Sequence, residues 1–151
     1  MTLEKIVLET STIPRVDLDF MNHTHFEEVE MVEQVGQLVK AFQDGTTHSE
    51  KQLADITAAL EDWVQHTQEH FKRENTLMLD TGFPAYPTHS GEHEKVMVEM
   101  QAVANHWKEN SDIDTLAEYV FSLWPEWFNA HVNSMDMMTA KFAMMQGYSA
   151  E

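Results

Sequence analysis

Residues 49–79 read SEKQLADITAALEDWVQHTQEHFKRENTLML, and this stretch decides the fold. It contains neither Gly nor Pro, and it opens on Ser49-x-x-Gln52, the spacing of a helix-capping box. Leu53, Ile56, Leu60, Trp63, Thr67, His70, Glu74 and Leu77 follow one another at alternating steps of three and four. Such steps place all eight on one face of a helix, the pattern of a seam buried against other helices. That seam contains a histidine and a glutamate where apolar side chains are expected.

Three further segments show the same spacing. The first, about 22–44, carries His25, Val29, Val32, Val35 or Gly36, Val39 and Phe42, and Gly45 marks its stop. The third, from Thr88 or Ser90 to about 109, carries His89, His93, Val96, Met100, Val103 and Trp107. The fourth, about 114–146, carries Leu116, Val120, Leu123, Trp127, His131, Met138 and Phe142, with Gly147 as its stop. Pro125 lies inside this last segment and predicts a kink. Residues 80–87, DTGFPAYP, are dense in turn formers and predict a loop. The reading is an all-α protein: an N-terminal arm over 1–19, then an antiparallel up-down-up-down four-helix bundle over 20–151.

The bulk composition narrows the function. A chain of 151 residues is long enough to bury one core. It has no Cys, which removes disulfides, thiolate metal sites and cysteine nucleophiles. A net charge of −17, from 26 acidic against 9 basic residues, would repel a phosphate backbone, so nucleic acid is excluded as a partner. No window approaches ~18 consecutive apolar residues, so no membrane span is expected. The beginning, MTLEKIVLETSTIPRVD, lacks the apolar core of a signal peptide, and the expectation is a cytoplasmic protein.

Histidine faces inward in all four segments. A buried imidazole or carboxylate costs free energy unless it is paired or bound to metal. One buried histidine is an ordinary core residue, but four or five at one level of a bundle are not. His70 and Glu74 stand one turn apart, as do His89 and His93, so each pair shares a patch. His131 and Asp136 are five apart and would diverge by roughly 140° on a regular helix, one binding terminally while the other reaches across. Five imidazoles and two carboxylates are too many for a lone tetrahedral zinc and suit two ions bridged by carboxylates.

These residues resemble the hemerythrins, in particular the bacterial hemerythrin-like domains. The likeness rests on His70-Phe-Lys-Arg-Glu74 with Leu77-Met78 and Gly82-Phe-Pro84, on His89-x-x-x-His93, and on Trp127-x-x-x-His131-x-x-x-x-Asp136. It implies two iron ions with a bridging hydroxide or oxide: His89, His93 and His131 on one iron, His25 and His70 on the other, Glu74 and Asp136 between them. Dioxygen would bind reversibly at the iron with two histidines, drawing two electrons from the iron pair and a proton from the hydroxide. Azide and similar small anions would compete, and Trp127 and Phe128 would wall the pocket. Turnover of peroxide or a small substrate is the alternative, and iron storage or oxygen sensing is a third.

The chain departs from the family pattern in two places. Asn22-His-Thr-His25 stands where Asp-x-x-His is usual, which leaves His23 as a rival ligand, and Phe128 stands where an aliphatic residue is usual. His66, one turn before His70 but off the seam, reads as a surface or supporting residue. His48 and His106 read as solvated, Tyr86 as a loop anchor, and Met135, Met137, Met138, Met144 and Met145 as fillers of irregular core gaps.

Overall fold

The computed structural model describes residues 15–45 and 48–147, and all regular structure among them is helical. Helix α1 is Asp19–Asp44, α2 is Glu50–Thr81 and α3 is Tyr86–Asn110. The fourth rod, α4, runs through Ile113–Glu118, Trp124–His131 and Met137–Met145, with two π-helical turns between them, Tyr119–Leu123 and Val132–Asp136. No helix among the described residues is long and apolar enough to cross a membrane.

Local chemistry accounts for the ends. Ser49 Oγ accepts from Gln52 N while Gln52 Oε1 accepts from Ser49 N, each at 3.1 Å, so the capping box of α2 is complete. Gly82, at φ 70°, adopts the left-handed conformation that ends α2, and Phe83 N then reaches back to Met78 O at 2.9 Å. Helix α3 begins at Tyr86, not after Pro87. A proline in the first helical turn removes an N–H that would have had no helical partner, so the loop is shorter than composition predicts. Tyr86 is therefore the first residue of a helix and not a loop anchor. Asp112 caps α4 by accepting from Thr115 N and Thr115 Oγ1.

Helix α1 starts three residues earlier than its spacing suggests. Asn22 fastens the preceding chain: its Oδ1 accepts from Val16 N at 2.8 Å and its Nδ2 donates to Val16 O at 2.9 Å. Val16 and Leu18 are buried in the core, so the described end of the expected arm packs into the bundle. Residues 1–14, with Pro14, lie outside the described residues.

Helix α1 packs on α2 and α4, and α3 packs on α2 and α4. The inward histidines and acids come from near the start of α1, the end of α2, the start of α3 and the later half of α4. Residues from alternating ends meet at one level only if the rods run up, down, up and down. Beneath them lies an apolar core that includes Val32, Val39, Ile56, Leu60, Trp63, Met100, Trp107, Leu116 and Val120. Each such aliphatic side chain contributes roughly 1.5–3 kcal/mol on burial.

The fourth rod departs furthest from its expected face. Leu123 is 52% and Met138 60% exposed, while Trp124, Phe128, Val132, Thr139 and Ala140 are buried in the places a uniform 3.6 repeat would have offered them. Each π turn inserts a residue and rotates everything after it, so a single period cannot describe the whole rod. The first π turn lies just before Pro125, whose ring and missing N–H disturb the ladder. Of the methionines near the C-terminus, Met137 packs against the core as expected, but others do not. Met144 and Met145 are exposed with Met138, so these three fill no core gap.

Candidate metal centre

Seven polar side chains converge near one end of the bundle: His25, His70, Glu74, His89, His93, His131 and Asp136, each no more than 2% exposed. Their ligand-type atoms form two overlapping groups. Glu74, His89, His93, His131 and Asp136 make one, and His25, His70 and Glu74 make the other. Every sequence-expected ligand is thus present in one or both.

The two carboxylates are divided between the groups. Glu74 Oε2 lies 2.7 Å from His70 Nε2 and 3.7 Å from His25 Nε2, whereas Oε1 lies 3.2 Å from His93 Nε2 and 3.7 Å from His89 Nε2. Asp136 repeats the arrangement. Its Oδ2 lies 2.9 Å from His25 Nε2, and its Oδ1 is 3.1 Å from both His89 and His131 Nε2. One oxygen of each acid is thus on the His25 and His70 side, and the other meets two of His89, His93 and His131.

All five imidazoles present Nε2 to this cluster, and four have Nδ1 tied elsewhere. His70 Nδ1 reaches Glu28 Oε1 at 2.9 Å, His89 Nδ1 reaches Thr139 Oγ1 at 2.8 Å, His93 Nδ1 reaches Asn75 Oδ1 at 2.9 Å, and His131 Nδ1 reaches Glu92 Oε1 at 2.7 Å. The carboxylates and the Asn75 oxygen can only accept, so each Nδ1 that meets one carries a proton, and a metal ion that displaced any proton on Nε2 would meet its lone pair. Outer partners of this kind orient metal-binding imidazoles and raise their basicity. Aromatic rings complete the clamp: Phe71 stacks on His93 at 4.0 Å and Trp127 on His131 at 4.6 Å.

Those outer partners escape the sequence reading. Glu28 had a signal, since it lies three residues after His25 and four before Val32 on the inward face of α1. Glu92 and Asn75 adjoin His93 and Glu74 and resemble ordinary solvent-facing residues. Thr139 lies beyond the second π turn, where the expected register no longer holds.

The positions of His23 and Phe128 bear on two other expectations. His23 is exposed and faces Glu27 at 3.8 Å, whereas His25 is fully buried in the cluster, so the rival is turned away. Phe128 is 1% exposed and meets His25 edge-on at 5.6 Å, but the ring stacked on it at 4.6 Å is Trp124. Trp127 belongs instead to the His131 side, where its Nε1 donates to Glu92.

The electrostatics suit a cation. Burial pushes the Glu74 carboxyl up, but the His70 charge, the His70 hydrogen bond and the nearby His25 and His93 imidazoles hold it well below the usual range. Burial and the Glu74 anion likewise push Asp136 up, and His131 and His25 outweigh them and lower it. Burial opposes the charged form of His70, but Glu74 and Glu28 raise it to about 10. His131 rises to about 9 against the same opposition, through Asp136, Glu74 and Glu92. Burial keeps His93 below its ordinary value. Glu74 and Asp136 are therefore both anions at neutral pH.

Whether these residues fit metal ions can be judged from atoms that nothing else satisfies. Glu74 Oε1, His93 Nε2 and Asp136 Oδ1 are buried without a hydrogen-bond partner among the described residues, and all three lie in the triplet group. Such groups destabilise a fold by about 1–3 kcal/mol each unless something binds them, and a cation would satisfy all three at once. The donor set, imidazole nitrogen and carboxylate oxygen without sulfur, suits first-row transition ions.

An all-helical bundle with this cluster defines a class, and comparison with known families assigns it: the chain belongs to the hemerythrin HHE cation-binding domain family, whose model matches residues 16–143. Among curated proteins, it is 33% identical to a bacteriohemerythrin of Ralstonia nicotianae over 98 residues, covering 64% of this chain and 69% of that one. It is 22% identical to a bacteriohemerythrin of Aquifex aeolicus over 136 residues, covering 90% and 97%. No solved structure matches the chain significantly.

Proposed function

We propose that this protein holds two iron ions and binds dioxygen reversibly at them. The observation that carries the proposal is the division of Glu74 and Asp136, each with one oxygen toward the His25 and His70 pair and one toward the His89, His93 and His131 triplet. Two carboxylates so placed would each help to hold two ions. The triplet would hold one iron and the pair the other, with a bridging hydroxide or oxide to offset the remaining charge.

The unequal histidine count would leave room for a small molecule on the His25 and His70 side. The iron pair, when bound, supplies two electrons and an open position to dioxygen. The chain's own residues make the binding reversible. Glu28, Asn75, Glu92 and Thr139 lock the imidazoles, and Phe128 and Trp124 keep water from the open side. Histidine in place of further carboxylates gives fewer anions, which favours the reduced pair.

The family name, which describes cation binding, and two relatives named bacteriohemerythrin support the same reading. The test is an optical one: ferrous protein is exposed to air, flushed with argon and then challenged with azide. A visible band that appears with oxygen, disappears under argon and is replaced by another with azide supports carriage. Sustained consumption of peroxide would mark a turnover enzyme, and silence toward oxygen would mark storage.

A further inference from the structure

His66 takes no part in the cluster, yet it is not a surface residue. Its side chain is 18% exposed, and its Nδ1 lies 3.2 Å from Glu28 Oε1, the same oxygen that His70 Nδ1 reaches at 2.9 Å. The other oxygen of Glu28 accepts from Trp63 Nε1 and from Thr67 Oγ1. A buried carboxylate thus has four polar partners, two on each oxygen.

We propose that His66 is a positioning residue that sets the donor strength of His70 by sharing its acceptor, an inference that rests on His70 being an iron ligand. A carboxylate oxygen that serves two donors draws less on each. With His66 present, the His70 Nδ1–H is moderately polarised. Without it, Glu28 Oε1 would serve His70 alone, the imidazole would become more electron-rich at Nε2, and the iron on the pair side would be easier to oxidise. The effect is one-sided, since the triplet histidines are tied to Asn75, Thr139 and Glu92 and do not touch Glu28.

The geometry also fixes which replacement should rescue the function. Glu28 can only accept, so His66 must donate from Nδ1, and the amide nitrogen of asparagine can stand near that place. His66→Asn should therefore keep the sharing and His66→Leu should abolish it.

Two measurements test this. In zinc-loaded protein, the His70 Nδ1 proton resonance should move downfield in His66→Leu and return toward the wild-type position in His66→Asn. In iron-loaded protein, the oxygenated form should take up a proton and release hydrogen peroxide, leaving the ferric pair without oxygen, roughly 10-fold faster in His66→Leu, the low end of the usual range for a ligand's hydrogen-bond partner, and near the wild-type rate in His66→Asn. Equal behaviour of the two variants, or an unmoved proton, overturns the proposal and leaves His66 as packing. Wild-type protein that takes up zinc but never an iron pair would instead overturn the functional reading, and this inference with it.

Discussion

Asp136 lies five residues beyond His131, yet its Oδ1 is 3.1 Å from the His131 Nε2. On a regular α-helix the two would point roughly 140° apart. The π turn Val132–Asp136 brings them to one face, because its i→i+5 bonding makes five residues serve as one turn. A ligand site on α4 is thus built by an inserted residue.

Removing that residue should keep the two side chains together. Ser134 is exposed at the outer side of the turn, and its deletion would leave the histidine and the aspartate four apart, the spacing that puts side chains on one patch of a regular α-helix. Helical content by circular dichroism should be nearly unchanged, and iron per chain should stay near two. A fall to one iron or less would show that a one-turn spacing does not suffice and that the wider π turn itself is needed to deliver Asp136.

The seam of α2 and the pairs His70 with Glu74 and His89 with His93 were legible because a 3.6-residue period holds throughout those helices. The pairing of His131 with Asp136 was legible only as a list of residue types. Its geometry depends on a π turn, and nothing in the residues 132–136, VNSMD, announces one. Glu28 and Glu92 stayed hidden for another reason. A glutamate on a helix is usually solvated, and only the neighbouring Trp63, His66, Thr67 and His70 reveal that Glu28 is not.

Metal-free and iron-loaded protein should respond to pH in opposite directions. In the metal-free protein, His70 at about 10 and His131 at about 9 lie above their ordinary 6.5. Their contribution is complete below 6.5 and is lost as pH rises through 9 to 10. Iron binding requires neutral imidazoles and displaces those protons, so loaded protein should gain stability as pH rises toward 6.5 and then level off. Urea midpoints of both forms from about pH 5 to 9 check this, and parallel curves would contradict it.

Phe128 should govern access to the open side. Phe128→Ala removes a buried ring beside His25 and should cost roughly 3–5 kcal/mol of stability. Azide binding, followed by stopped flow, should accelerate, and the oxygenated band should decay faster. Unchanged rates with the full stability loss would reduce Phe128 to core packing.

The two histidines of Asn22-His-Thr-His25 should behave differently. His23→Ala alters an exposed side chain and should leave the optical spectrum intact. His25→Ala should abolish the oxygen band while the triplet retains its iron. If His23→Ala were the damaging change, α1 would have to be rotated from the orientation described.

The central claim is one dioxygen held reversibly by two irons, and gas uptake tests it most directly. Anaerobic ferrous protein of known iron content is titrated with oxygen at an electrode, evacuated and titrated again. The account predicts one oxygen per two irons, recovered on evacuation and taken up equally in the second cycle. Uptake that is not recovered, or a stoichiometry that bears no relation to an iron pair, would contradict it.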